Sequence, residues 1–461
     1  MIVTRGRIVK IHVIVAYTLV ALVLLWGVLL SPPFRELRVA LGFPAELPGS
    51  RFNGWAAEII ASDIEDASFY LARVSHYYHV VFAALLYASL VLSAGVLGDR
   101  IPLNTLTLAL VGALMTAVGG IGYAYFARLF YLHGLFIAGL AFLFAAGVLV
   151  AQSLWKPRSE IEIGLFASVL LLLIGGVVGG YVGSSYMDDS LADAFVKAKI
   201  ASRFDPDLGE HVEVWRAMTG HAHAMVTLVL TGSMLVGFAA TGPRWARPRL
   251  AKLSLWAVTL SLAATAVGSY LVWPLGGIAH KIITPSSLVL LIASLLAAFA
   301  LRAPPPMTAD GALVHGLRVG LVSMWPLVVV PGAIVAVSLH KPVFFDPPMR
   351  DPSRDWAELA YSIGHWHILL AAWGVTLLIT LLASIGRSRL AVLSAWLAVV
   401  GFLVASAGVN LYALTAPPGA YSPNPYDNLW VRLLIEPGLT IMALAAILGY
   451  VEALRWALNK Q

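Results

Sequence analysis

Residues Tyr361-Ser362-Ile363-Gly364-His365-Trp366-His367-Ile368-Leu369-Leu370 set two histidines around one aromatic at the head of an apolar run that continues to Ile385. Residues two apart on an α-helix point about 200° from each other. This pair therefore serves two partners on opposite sides of one helix rather than a single metal. The run behind it is long enough to cross the roughly 30 Å hydrocarbon layer of a bilayer. Ionisable groups within a membrane span are costly and rare, which makes them functional candidates by default.

Outward from this stretch, the same kind of run recurs along all 461 residues, of which 60% are hydrophobic and only 12% charged. Apolar spans fall near 8–31, 74–97, 103–125, 129–153, 160–186, 216–241, 251–274, 279–302, 315–340, 362–385, 388–413 and 433–456. The fold class expected is an all-α polytopic membrane protein of twelve transmembrane helices, a single integral domain over 1–461. The first run, Ile8 to Leu30, has a basic start at Arg5, Arg7 and Lys10 but is longer than a signal core and lacks a small-residue cleavage site, so it reads as the first span. The chain has no Cys, which excludes disulfides, thiolate metal sites and covalent c-type haem attachment. Its net charge of +6 resides mainly in short loops and calls for no nucleic-acid partner.

An even number of spans puts both termini on one side. That side includes the loops Gly98-Asp99-Arg100, Trp155-Lys156-Pro157-Arg158, Arg244 to Lys252 and Gly386-Arg387-Ser388-Arg389. It holds 16 Lys/Arg against 5 Asp/Glu, and the other side 14 against 19. Basic loops mark the cytoplasmic face, so a protein of the cell membrane with both termini in the cytoplasm is expected. The long connections 32–73, 187–215, 341–361 and 414–432 fall outside, with short interfacial helices expected within 188–215. Loops of this length are more often functional than idle.

The histidines repeat. His79, His223 and His367 stand 144 residues apart, as do His221 and His365, while 57 residues separate His76 from His133 and His223 from His280. A fixed period bears on architecture before anything else. It divides the chain into three four-helix repeats, about 1–157, 158–302 and 303–461, with these histidines at the outer ends of even-numbered, parallel spans.

Haem iron is commonly held by axial His, and a bis-His haem needs two imidazoles facing each other across the macrocycle. Parallel helices that present His at equal depth supply this geometry. His76 and His79 share one face of span two, so either reaches the same iron. His365 and His367 face apart and serve two. His133 opens span four. A second bis-His scheme follows from the 57-residue spacing, with His76 or His79 opposite His133 and His223 opposite His280. His221, His223 and His280 are the candidates for a second metal, copper or non-haem iron, both of which imidazole suits. Of the others, His211 reads as solvated, His12 and His315 as structural groups at cytoplasmic ends, and His340 as a surface group or a donor to a haem propionate. Tyr77, Tyr78, Trp215, Trp366 and Trp373 cluster near the histidines but equally fit an interfacial aromatic belt. Glu436, ahead of Pro437, reads as an interfacial residue at a helix start, with a proton relay as the alternative.

Twelve spans in three arcs, with candidate ligands on spans two, six and ten, resemble subunit I of the haem-copper oxidase and nitric oxide reductase superfamily. Tyr361 followed by Gly364-His365-Trp366-His367-Ile368-Leu369-Leu370 is similar to that family's His-aromatic-His helix. The resemblance implies that His365 holds a high-spin haem and His367 a low-spin haem, whose other ligand is His79 or His76. It places Gly220-His221-Ala222-His223-Ala224-Met225 where the family has its first copper or non-haem iron ligand. It also places the acidic segment Asp351 to Glu358 where the family has a polar cap over the propionates. Two features depart from it. Span seven, 251–274, contains no His where the family has an adjacent pair, and span six has neither a His-Pro-Glu nor a His-Pro-x-x-Tyr signature.

The function expected is that of a haem-binding respiratory membrane redox subunit, haem-copper oxidase-like, that passes electrons through b-type haems and reduces oxygen or nitric oxide. The alternative keeps the haems and drops the second metal: a di- or multi-haem cytochrome b between a quinol and an outer electron-carrier protein. Either would work beside other respiratory-complex subunits. A third class, a non-redox transporter, would place its sites near the midplane between broken helices.

Overall fold

The computed structural model describes residues 6–29, 35–42, 64–126, 129–184, 212–242, 245–329, 352–385, 388–415 and 429–458. Twelve helices follow the twelve apolar runs. They are α1 (Gly6–Leu29), α2 (Ile64–Leu97), α3 (Leu103–Ile121), α4 (Phe130–Ser153), α5 (Glu160–Ser184), α6 (Val212–Thr241), α7 (Pro248–Tyr270), α8 (His280–Ala300), α9 (Ala309–Met324), α10 (Pro352–Ile385), α11 (Arg389–Thr415) and α12 (Glu436–Leu458). Eleven contain a stretch long and apolar enough to cross a membrane, and α1 contributes the shorter apolar stretch Lys10–Leu25. The chain is an all-α polytopic membrane protein, with no β-strand among the described residues.

Three helix starts lie ahead of the hydropathy reading, that of α9 by six residues, and the expected end of span nine at 340 lies outside the described residues. α2 begins at Ile64 and α10 at Pro352, each ten residues ahead of its apolar run. Neither lead-in contains an internal Gly or Pro to break the helix, and Pro352 sits at the first helical position, where its missing N–H costs nothing. The acidic residues before His365 are therefore the opening turns of α10 itself. The stretch 188–211, expected to hold interfacial helices, lies outside the described residues, as do His211, His340 and Asp351.

α2, α6 and α10 pack on one another, and the remaining helices complete three closed rings around them: α2–α3–α4–α5–α6, α6–α7–α8–α9–α10 and α10–α11–α12–α1–α2. α6 and α10 are the most deeply buried spans among the described residues. Each of the three central helices carries two of the histidines. The second ring is filled where α6 packs on α9, and the third where α10 packs on α1 and α12.

Small residues make the outer contacts close. A Cβ on Gly119 would strike the Phe136 backbone and one on Gly139 the Thr116 backbone, so α3 and α4 touch main chain to main chain. Glycine at such interfaces is how membrane helices gain packing without a hydrophobic drive between them. At the end that carries the termini, Lys10 lies over the Trp456 ring at 5.4 Å. There Glu162 accepts hydrogen bonds from Arg100 at 3.2 Å and from the Arg158 backbone at 2.8 Å. The connections after α6 and α8 join through Arg247 N to Ala300 O at 2.8 Å and Arg302 N to Trp245 O at 2.7 Å.

π-helical turns extend α3 at Gly122–Phe126 and α9 at Trp325–Val329, and one at Val431–Ile435 precedes α12. All three lie at the end away from the termini, where the histidines gather. Such turns are frequent at functional sites, and two of them bring groups to the histidines.

Candidate functional site

His76 and His79 stand one turn apart on α2 and face the first ring. His76 is buried, and its Nε2 meets Nδ1 of His133, from the first turn of α4, at 2.9 Å. One proton is shared across that contact. Tyr123, carried in by the π-turn after α3, stacks on His76 with ring centroids 4.4 Å apart, and Phe136 packs on the same ring. The 57-residue spacing of His76 and His133 is thus a direct hydrogen bond rather than a gap wide enough for a macrocycle.

The ring parallel to His79 belongs to His221 on α6. Their centroids are 6.2 Å apart and their planes 17° from parallel. The separation equals that of two imidazoles on one metal at about 2 Å each, a ligation that needs these stacked rings to turn a nitrogen each toward a common point. His221 Nδ1 donates to the Gly175 carbonyl at 2.8 Å, so a metal ligand from this ring would be Nε2. This is the outer hydrogen bond that metal-bound histidines typically make. Position follows from the glycine-rich face of α5, since a Cβ on Gly179 would meet the His221 ring at 2.7 Å.

His76, His79, His133 and His221 line one end of a cavity of about 730 Å³ inside the first ring, within the range of cofactor pockets. Gly134, Gly180 and Gly183 border it, and a Cβ added to any of them would enter open space. Below the histidines the wall is apolar, with Leu86, Leu90, Leu143, Val150 and Leu172 among its residues. A stacked imidazole pair at this separation, one ring held by an outer hydrogen bond, beside an apolar cavity edged with glycine, suits a flat macrocycle that both histidines would hold.

His223 points to the other side of α6, as the two-residue spacing requires, and lies close enough to His365 on α10 for their charges to interact. The Val328 carbonyl, in the π-turn after α9, lies near the His365 ring. Nδ1 of His365 is buried without a hydrogen-bond partner. His367 is exposed and approaches Tyr78 of α2, with ring centroids 6.4 Å apart. Each of the three interfaces thus brings one of these histidines to an aromatic ring of the neighbouring central helix: His79 to His221, His223 to His365 and His367 to Tyr78.

His280 is the first residue of α8. The structure does not gather His221, His223 and His280: among the described residues no three His, Asp or Glu side chains converge on a metal position. His12 and His315 are structural. His12 Nδ1 bonds Tyr87 Oη at 2.6 Å, and His315 Nε2 donates to the Pro304 carbonyl at 2.9 Å. Glu436 is the first residue of α12 and partly buried. The sequence reading passed over Tyr123, Gly175, Gly179 and the Val328 carbonyl. The signal for two of them was present in the run Gly175-Gly176-Val177-Val178-Gly179-Gly180 of span five. No protein-family model and no curated protein matches the chain.

Proposed function

We propose that the chain is a haem-binding electron-transfer subunit of the cell membrane, a cytochrome b in which His79 and His221 would hold a haem in the first ring. The observation that carries this reading is the parallel His79–His221 pair at 6.2 Å at the head of the cavity. A bound haem would supply a one-electron couple. His79 and His221 would hold it, Gly175 would fix the His221 ring through its carbonyl, and the glycines of α4 and α5 would admit the macrocycle edge. The apolar wall would exclude water and lower the local dielectric, one of the levers on haem potential.

The test is optical. Purified protein should show a Soret band and a b-type pyridine haemochrome, and His79→Ala and His221→Ala should each remove the same low-spin component. A colourless protein, or two variants with unchanged spectra, would refute the assignment.

A second reading, a haem-copper-type reductase of oxygen or nitric oxide, is favoured by one feature. α2, α6 and α10 form the centre of the bundle, and His365 on α10 presents a buried, unpartnered Nδ1. Copper, or iron in excess of haem, in the purified protein would select it. The cytochrome b reading stands first because the imidazoles meet in pairs.

A further inference from the structure

At the end that carries the termini, the connections after α6 and α8 meet in a short antiparallel clasp, with Ala246 opposite Leu301. Side chains alternate along such a pair. Leu301 is buried, and Arg247 and Arg302 accordingly point to the other face and are exposed. They are diagonal neighbours across the clasp, which sets them about 7–8 Å apart. Two long cationic side chains at that separation can reach one anion. Arg249, exposed in the first turn of α7, adds a third charge.

Among the described residues none of these three arginines has an acidic partner. Other cations at the same end are already engaged. Arg100 donates to the Lys156 carbonyl and to Glu162, Lys10 lies over Trp456, and Lys252 pairs with Glu160 at 3.0 Å. Asp310, beside the clasp, accepts from Trp245 Nε1 at 3.1 Å.

Inward from the arginines, the outer faces of α7 and α8 are apolar. Leu253, Trp256 and Leu260 repeat at helical spacing on α7, and Ile292 and Phe299 stand two turns apart on α8, all of them exposed. The two helices run antiparallel side by side, joined by Thr265 Oγ1 to Ser286 Oγ at 2.9 Å and closed up at Gly268, where a Cβ would meet Ile282. Leu253 follows Arg249 by one turn, and Phe299 precedes Arg302 by nearly one. A cationic head above two apolar helix faces complements a lipid with a negative headgroup.

We infer that Arg247 and Arg302 bind the phosphate of an anionic phospholipid whose acyl chains lie along α7 and α8. Guanidinium groups match phosphate oxygens in bidentate geometry, and Arg or Lys next to a span attracts anionic lipid at the bilayer surface. A zwitterionic lipid gains less, since its own ammonium competes with the arginines. The site is independent of the haem reading and stands or falls without it.

The experiment is native mass spectrometry of the full chain in detergent, titrated with phosphatidylglycerol or with phosphatidylcholine of the same acyl chains. Phosphatidylglycerol should bind more tightly, and the double variant Arg247→Gln/Arg302→Gln should hold it about tenfold more weakly. Lys156→Gln/Arg158→Gln removes the same charge from the exposed connection after α4 and should leave binding unchanged. Should the first double variant not fold, Arg302→Gln alone should give a smaller loss in the same direction. Equal binding of the two lipids, or equal losses in the two double variants, would reduce the site to diffuse attraction and overturn the inference. Displacement of phosphatidylglycerol by millimolar inorganic phosphate would mark a site for a free anion and overturn it too.

Discussion

Gly179 decides where the His221 imidazole stands. The ring lies over that glycine with its Nδ1–H on the Gly175 carbonyl, so even a methyl group at 179 must push it toward His79. Gly179→Ala should therefore change the low-spin spectrum or lower haem content without touching either ligand. A normal spectrum in this variant would mean that the ring is not held as the structure has it. The two-residue spacing made one feature of this site readable, since His221 and His223 do face different helices. Spacing along the chain reports depth and sidedness on each helix, but not which neighbour stands opposite. The resemblance accordingly named His367 as the partner of His79, while the ring parallel to His79 is that of His221. At the far end of the same helix, Tyr87 meets buried His12 at 2.6 Å. Tyr87→Phe strands an imidazole nitrogen and should cost about 1–3 kcal/mol, read as a lower melting temperature in detergent with haem content intact.

Helix pairs in this bundle are set by small residues as much as by large ones. Gly139 faces the Thr116 backbone and Gly119 that of Phe136, so a leucine at either has no room unless α3 and α4 separate. Gly139→Leu should cost at least the roughly 1–3 kcal/mol of an overpacked core. It should also disturb the histidine end, because α4 carries His133 and the π-turn after α3 delivers Tyr123. Equal stability and unchanged haem would show that the two helices can part freely. The elements themselves were legible: an apolar run of span length in a chain with so few charges has one physical outcome, and most of the described boundaries fell within a few residues. The exceptions, at Ile64 and Pro352, are instructive. Hydropathy reports where the bilayer ends, whereas the helix ends where its backbone is broken. The π-turns at Gly122 and Trp325 left no mark in the apolar pattern, so the approach of Tyr123 and of the Val328 carbonyl to the histidines was beyond that reading.

At the scale of the whole molecule, three rings share three central helices, and the 144-residue spacing of the histidines follows their order around the centre. The arrangement also fixes a common end for the two termini, since Lys10 near the start of α1 lies over Trp456 near the end of α12. That end gathers Arg100, Lys156, Arg158, Arg247, Arg302 and Arg389, whereas the histidine end begins from acid-bearing lead-ins on α2 and α10. Cationic loops stay on the cytoplasmic side during insertion, and acidic residues contribute little to that choice. Both termini should therefore be cytoplasmic and the histidine end should face outward. The absence of native Cys makes single-cysteine labelling a direct readout. Leu458, exposed at the end of α12, and Leu429, exposed ahead of it at the histidine end, supply the two positions. In intact cells a membrane-impermeant maleimide should label Leu429→Cys and reach Leu458→Cys only after the membrane is opened. The reverse pattern would invert the molecule and put the histidine end in the cytoplasm, although the packing of helices and the pairing of histidines would be the same in either orientation.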